Sequence, residues 1–183
     1  SHQPNKTMRN LLIIGILLIS MVSCNKLDKL TQFNIDYKET VTVPGNTIIS
    51  LPFDLDDQEL ETNSSTSFEN NNSNKDLVEK ATLIKMQLDH KSPSSGDLSF
   101  IESISIFLEA DGLPEIKIAW KDVVPENVGK TLDLDLTDAD LKDYVKKDDL
   151  RIRINSVIDE ALSQDQVIDI NTSIFIDAKI LGL

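Results

Sequence analysis

From Phe33 onward, short stretches of the chain alternate between apolar and polar residues. In the first stretch Phe33, Ile35 and Tyr37 occupy every second position, with Asn34 and Asp36 between them. Successive side chains of a β-strand point to opposite faces, so this period of two predicts strands with one buried face and one face in water. About eight such stretches, separated by turn sequences, predict an all-β, two-layer antiparallel β-sandwich, either Ig-like or jelly-roll in topology.

The first two predicted strands are joined by a Pro-Gly-Asn tripeptide at 44–46. Proline fixes φ and glycine accepts positive φ, so this tripeptide predicts a turn. The next apolar alternation runs from Ile49 to Leu55, and we expect it to pair with the first strand as a hairpin. Pro52 lacks a backbone donor, which predicts that the second strand lies at a sheet edge or contains a bulge.

One short helix is predicted, near residues 138–146. Thr137 can cap its first turn, and Asp140 follows three residues later, as in a capping box. Leu141 and Tyr144 are three residues apart and therefore share one helical face.

The segment at 56–75 consists mostly of Asn, Ser, Thr and acidic residues. Such a composition cannot bury a core, so it predicts a long, exposed polar loop. Phe68 leaves open a brief strand within the loop, and Asn74 can cap one helical turn where the loop ends.

Residues 1–24 have the pattern of a secretory signal. Arg9 precedes an apolar run from Leu11 to Val22, which is shorter than the roughly 20 residues that a membrane-spanning helix needs. Met8 would begin a signal of ordinary length, so residues 1–7 are left outside the fold prediction.

The apolar run ends in Met21-Val22-Ser23-Cys24, and Cys24 is the one cysteine of the chain. This ending resembles the lipobox that closes the signals of bacterial lipoproteins. The resemblance implies that Cys24 is lipidated and becomes the mature N-terminus, and that the protein is anchored in the cell envelope, with the outer membrane as the expected location. The alternatives are an ordinary cleaved signal or a short signal anchor with an incidental cysteine. Residues 25–32 would then form a tether and residues 33–183 one domain.

The charge of the chain limits its partners. The formal net charge is −13, and loss of the two basic residues of the leader brings it to −15. Binding of nucleic acid needs a basic footprint and is not expected, and direct adhesion to an anionic lipid surface is disfavoured in the same way. The acyl chains on Cys24 would hold the protein at the membrane. An extended tether of eight residues spans at most about 28 Å, which predicts a membrane-associated protein partner.

Few residues have the chemistry of a catalytic site. His90 is the single histidine outside the leader, and it is predicted to be a surface or strand-end residue. A Ser-His-Asp site needs a histidine base, and zinc sites need several His or Cys ligands, so neither is expected. Trp120 continues the apolar alternation of Ile116 and Ile118, which predicts that it lies in the core. No cofactor is predicted.

Acidic residues offer weaker alternatives, because two clusters have the oxygen ligands that calcium prefers. The same residues also fit the wet face of a strand and the first turn of a helix. A calcium-dependent adhesion module is one alternative function. A carbohydrate-active or other hydrolytic enzyme on a jelly-roll, with two facing carboxylates, is another. The calcium candidates are Asp54, Asp56, Asp133, Asp135 and Asp138.

Two phenylalanines point away from the predicted core. Phe107 stands on the side of its strand opposite Ile106, and Phe175 stands opposite Ile174 and Ile176. If their strands are neighbours, the two rings form an exposed apolar patch for a partner; the alternative is that the loop or the helix covers them. The preferred prediction is a lipid-anchored β-sandwich of the cell envelope that acts as a non-catalytic interaction or accessory module.

Overall fold

A computed structural model describes residues 32–50, 53–59, 68–71, 73–147 and 150–179. The predicted signal, Cys24 and the tether up to residue 31 lie outside these ranges. The described elements, in chain order, are β1 (Gln32–Val43), β2 (Phe53–Glu59), β3 (Val78–Ser92), β4 (Ile101–Glu109), β5 (Ile116–Lys121), β6 (Thr131–Asp133), β7 (Asp135–Leu136), α1 (Lys142–Val145), β8 (Arg151–Ile158) and β9 (Gln166–Ala178).

The strands form two antiparallel sheets. The four-stranded sheet has the order β1-β9-β3-β6, and the five-stranded sheet has the order β2-β8-β4-β5-β7. Neighbouring strands run antiparallel in every pair. The predicted all-β, two-layer antiparallel sandwich is therefore confirmed.

Four of the strand pairs are nested in the sequence. β1 pairs with β9, β2 with β8, β3 with β6, and β4 with β5. This is the pairing of one long hairpin, with its tip at the Asp111-Gly112 turn, rolled up so that β1, β2, β3 and β4 fall alternately in the two sheets. In an Ig-like sandwich the first two strands share a sheet. The structure therefore has the jelly-roll topology, one of the two that the sequence left open.

The expected hairpin between β1 and β2 is wrong, because these strands lie in different sheets. The turn at 44–46 is present, since the backbone N–H of Thr47 donates to the carbonyl of Pro44. The chain then crosses to the other sheet, where Ser50 donates to the carbonyl of Ile158. A Cβ at Gly45 would lie 2.8 Å from the backbone of Gln164, so glycine is required here for close approach of two loops. β2 does lie at a sheet edge, as predicted, while Pro52 is outside the described residues.

The core lies between the inner faces of the two sheets. Apolar side chains that alternate along each strand, such as Ile35 on β1, Ile106 on β4, Ile154 on β8 and Ile176 on β9, are almost completely buried there. Each fully buried side chain of this size contributes about 1.5–3 kcal/mol relative to an exposed one. The regular period of two is thus explained by packing against the opposite sheet.

Bulges overturn the alternation at two positions. The register of β3 against β9 shifts between Leu83 and Lys85, so Ile84 turns outward and is 47% exposed. The register of β5 against β4 shifts between Ile106 and Phe107, and it places Trp120 opposite Ser105. Cross-strand partners share a face. Trp120 therefore lies on the outer face of the five-stranded sheet, and its predicted place in the core is wrong.

The predicted polar loop is structured at both of its ends. β2 continues through the start of the loop as far as Glu59. Phe68 lies in a helical turn at 68–70, is 1% exposed, and meets the ring of Phe33 edge to face at 5.4 Å. Asn74 caps the 3-10 turn Lys75–Leu77, because its Oδ1 accepts two backbone N–H groups. A brief strand at Phe68 was the wrong prediction, and the cap was right; residues 60–67 lie outside the described ranges.

Helix α1 is shorter than the predicted 138–146. Asp140 does not complete a capping box with Thr137. Its Oδ1 instead accepts the backbone N–H of Lys142 at 3.1 Å and that of Ala81 on β3 at 3.0 Å. This carboxylate therefore attaches the segment to the four-stranded sheet. The helix that follows is a single turn, Lys142–Val145.

Candidate functional site

Phe107 and Phe175 lie on opposite sides of the molecule. Phe107 belongs to β4 in the five-stranded sheet, whereas Phe175 belongs to β9 in the four-stranded sheet, and each points to the outer face of its own sheet. Both rings are half-buried. They therefore do not form the shared apolar patch that neighbouring strands would have given.

The ring of Phe107 is covered by a cation. The guanidinium carbon of Arg153 lies 4.3 Å from the ring centroid, in the geometry of a cation–π contact. Arg153 also donates from Nε and Nη2 to the two carboxylate oxygens of Glu115, both at 2.8 Å. These hydrogen bonds hold the pKa of Glu115 below its usual range, so the pair stays ionised at neutral pH.

Trp120 has a similar environment one row further along the five-stranded sheet. The ammonium of Lys117 lies 4.8 Å from the centre of its ring. Asp135 of β7 is its cross-strand partner and forms an ion pair with Lys121 at 3.3 Å. The outer face of the five-stranded sheet thus carries two aromatic rings, each beneath a positive charge.

The outer face of the four-stranded sheet contains an open groove of about 520 Å³, here called the sheet groove. Its floor is on β9, and its two walls are on β1 and β3, which flank β9 in the sheet. The lining residues are Asp36, Tyr37, Lys38, Lys85, Gln87, Asp89, Asn171, Thr172 and Ser173.

Hydrogen bonds across the strands hold the polar side chains of the sheet groove. Ser173 Oγ donates to Asp36 Oδ1 at 2.6 Å, and Asn171 Nδ2 donates to Asp89 Oδ2 at 2.9 Å. Thr131 Oγ1 on β6 donates to the other oxygen of Asp89 at 2.9 Å. Each of these bonds fixes the direction of a carboxylate or an amide, so the groove is arranged in advance of any ligand.

A buried carboxylate, Asp169, is bonded to the groove residue Lys38, and its exposure is only 4%. Thr40 Oγ1 donates to its Oδ1 at 2.7 Å, and Lys38 and Lys91 pair with its Oδ2 at 2.9 and 3.4 Å. Desolvation alone would raise the pKa of Asp169. The hydrogen bonds from Lys38 and Thr40 and the charge of Lys38 outweigh it, and the pKa falls below its ordinary value.

Tyr37 of β1 is also among the residues that line the sheet groove, although its side chain is buried on the core face of the strand. Burial raises its pKa to about 12, so the phenol is protonated at neutral pH. Within the described residues its hydroxyl has no hydrogen-bond partner. This tyrosine is therefore not poised to act as a base or a nucleophile.

The described residues among the calcium candidates, Asp133, Asp135 and Asp138, are not gathered into one site. Asp133 ends β6 in the four-stranded sheet and accepts Gln87 Nε2, whereas Asp135 begins β7 in the other sheet. Asp138 is exposed in the segment that follows. In the described ranges no three His, Cys, Asp or Glu side chains are placed to share a metal ion. Asp54 and Asp56 lie in β2, and their side chains are outside the description.

His90 lies near the end of β3, which agrees with the strand-end alternative of the prediction, but it is buried and not at the surface. Its exposure is 5%, and its Nε2 lies 2.9 Å from Oε1 of Gln166, whose own amide donates to the carbonyl of Gln164. A Cβ at Gly96 would lie 2.8 Å from the imidazole, so a glycine lets the 93–100 loop fold over the ring. The histidine is thus bonded to an amide and not to a serine. A cavity of about 280 Å³ lies beside this loop and is lined mostly by hydroxyl, amide and carboxylate groups.

No family model matches the chain, and no curated protein matches it. Among the described helices, none combines the length and the hydrophobicity needed to cross a membrane.

Sequence reasoning placed Asp36 on the wet face of its strand and Tyr37 on the apolar face, and it did not bring the residues of the sheet groove together. Asp36, Lys85 and Asn171 are far apart in the chain and become neighbours only because β9 lies between β1 and β3. The one available signal was the series of uncharged polar residues on β9, Asn171 and Ser173, in an otherwise highly charged protein.

Proposed function

We propose that this protein is a lipid-anchored module of the bacterial cell envelope, held at the outer membrane by acyl chains on Cys24, with a non-catalytic binding role. The observation that carries the proposal is the position of the one cysteine. It ends the apolar run of the leader, and β1 begins at Gln32, eight residues later. A chain of that length keeps the sandwich within about 28 Å of its anchor.

The form of the sandwich supports a binding role. Both sheets present side chains on their outer faces that are fixed by cross-strand hydrogen bonds or ion pairs. Side chains that are already ordered lose less conformational freedom when a partner binds. His90, the single histidine after the leader, is bonded to Gln166, and Tyr37 is protonated and buried. We therefore assign the protein to the binding modules and expect its partner among molecules held at the same membrane.

Labelling of cells with an alkyne fatty acid tests the anchor. We expect the wild-type protein to take up the label and to sediment with the membranes, and we expect the Cys24→Ala variant to do neither. Ser20→Ala, which changes the leader one residue before the lipobox, is the matched control and should be labelled like the wild type. Incorporation of label into Cys24→Ala would contradict the proposal.

A further inference from the structure

We propose that the sheet groove binds a neutral oligosaccharide. This inference names the ligand class of the binding module proposed above and rests on that proposed function. It is carried by three properties of the groove: its shape, its hydrogen-bonding groups and its charge.

The shape of the groove suits a short linear polymer. Residues Lys85 to Asp89 form one wall on β3, which gives a length of about 13 Å at the rise of a strand. The floor is made by the small side chains of Asn171 and Ser173 on β9, which share the outer face of the sheet, so a chain of sugar rings can lie along the strand. A volume of about 520 Å³ is in the range of small-molecule sites, which is roughly 300–1,000 Å³.

The groove combines hydrogen-bond donors and acceptors in fixed positions. The bond from Ser173 to Asp36 leaves the second carboxylate oxygen of Asp36 as an acceptor, and the bond from Asn171 to Asp89 leaves the amide oxygen of Asn171 as another. Within the described part of the chain, Lys85 is exposed and has no carboxylate partner, so its ammonium remains a donor. Sugar hydroxyls both donate and accept, and this mixture of groups complements them.

The charges of the groove cancel, although the protein as a whole is strongly acidic. The lining residues include two carboxylates, Asp36 and Asp89, and two ammonium groups, Lys38 and Lys85. Lys38 is paired with Asp169, which also holds Lys91, so the charges of the groove and of this cluster balance, whereas the full chain has a formal net charge of −13. An anionic ligand would be repelled by the protein, and a cationic ligand would find no excess of negative charge in the groove. A ligand with many hydroxyls and no charge meets neither obstacle.

The aromatic residues of the other sheet are less suited to a sugar. Lys117 lies over the ring of Trp120, and Arg153 lies over the ring of Phe107. A sugar that stacked on either ring would have to displace a cation from it. This difference also supplies a reporter, since Trp120 is the one tryptophan of the chain and lies on the sheet opposite the groove.

The test is calorimetric titration of the full-length protein with a panel of neutral oligosaccharides: cello-, xylo-, malto-, manno- and chito-oligosaccharides. The protein is kept in a detergent without a sugar head group. We expect at least one neutral oligosaccharide to bind. Lys85→Ala and Asn171→Ala should each weaken binding about tenfold, the effect of losing one hydrogen bond to a ligand. Lys80→Ala, a matched change on the same strand outside the groove, should leave binding unchanged, and thermal unfolding confirms that each variant is folded.

The emission of Trp120 separates the two sheets during the same titration. Binding in the groove should leave that emission unchanged. The inference is overturned if no member of the panel binds up to about 10 mM, or if binding shifts the emission of Trp120 and is insensitive to Lys85→Ala.

This test and the test of the proposed function fail in different ways. Fatty-acid labelling reports the anchor alone and does not depend on any sugar. Release of shorter saccharides from the panel during long incubation would contradict the non-catalytic role while leaving the groove as the binding site. Absence of binding, with normal lipidation of Cys24, would remove only the ligand class.

Discussion

The two outer faces of the sandwich come from the same kind of sequence but differ in chemistry. On the four-stranded sheet, carboxylates, amides and hydroxyls bind one another across three neighbouring strands and surround an open groove. On the five-stranded sheet, two aromatic rings lie beneath Lys117 and Arg153, and Arg153 pairs in turn with Glu115.

The difference arises from the strand in the middle of each sheet. β9 inserts Asn171 and Ser173 between the charged residues of β1 and β3, so small polar side chains form a floor. β4 inserts Phe107 between Lys117 and Arg153, so a ring occupies the same kind of position, and Arg153 lies over it. The residue on the central one of three neighbouring strands therefore decides whether the outer face has an open groove or a side chain that occupies the same space.

The largest effect is expected from Asp169→Ala, which removes the buried carboxylate that is paired with the groove residue Lys38. Asp169 accepts one hydroxyl and two ammonium groups, so we expect a loss of about 2 kcal/mol in the free energy of unfolding. Urea unfolding measures it. Asp177→Ala, a change on the same strand away from this cluster, should cost less than about 0.5 kcal/mol. Equal losses in the two variants would show that the cluster adds nothing to stability.

The same carboxylate should make stability depend on pH. Its folded-state pKa is below its ordinary value, and the unfolded value is about 3.9. The stabilisation is therefore complete above the unfolded pKa and is lost as the pH falls through the folded pKa. We expect the difference in unfolding free energy between wild type and Asp169→Asn to be constant near neutral pH and to shrink below about pH 4. A difference that stays constant into strong acid would contradict this assignment.

A smaller loss is expected from Arg153→Ala on the five-stranded sheet. Arg153 and Glu115 are both partly exposed, and exposed ion pairs and cation–π contacts contribute little, so we expect about 1 kcal/mol. Arg153→Lys should recover part of it, since lysine keeps the charge but loses the two parallel hydrogen bonds. If Arg153→Ala lowered the free energy of unfolding more than Asp169→Ala does, the contacts on the five-stranded sheet would be the more stabilising ones, contrary to this account.

The sequence predicted the layers of the fold well and the pairing of the strands poorly. The alternation in β1 correctly placed Phe33, Ile35 and Tyr37 in the core, because a regular strand against a second sheet must bury every other residue. The hairpin between β1 and β2 was wrong because β1 pairs with β9, at the far end of the chain; Thr40 and Asp169 in one hydrogen bond are 129 positions apart. Nothing local to β1 specifies that partner.

The candidate site was harder still to predict. The positions of Ile84 and Trp120 depend on bulges, which are set by the paired strand and not by the period of the strand itself. His90 is buried because a glycine loop folds over it, which a strand-end position does not reveal. The groove forms only because β9 lies between β1 and β3. The sequence shows the polar residues of these strands but not the order of the strands, so the groove could not be predicted.

The functional difference between the two faces is tested most directly by lysine footprinting. The protein is reductively methylated with and without the neutral oligosaccharide that binds it best, and the rate at each lysine is measured by mass spectrometry. At a ligand concentration of about ten times Kd, we expect about tenfold slower modification of Lys85 in the groove, because only the free protein reacts there. Lys117, over Trp120, and Lys80, outside the groove, should react at unchanged rates. Protection of Lys117 with Lys85 unprotected would place the ligand on the five-stranded sheet and contradict the groove as the binding face.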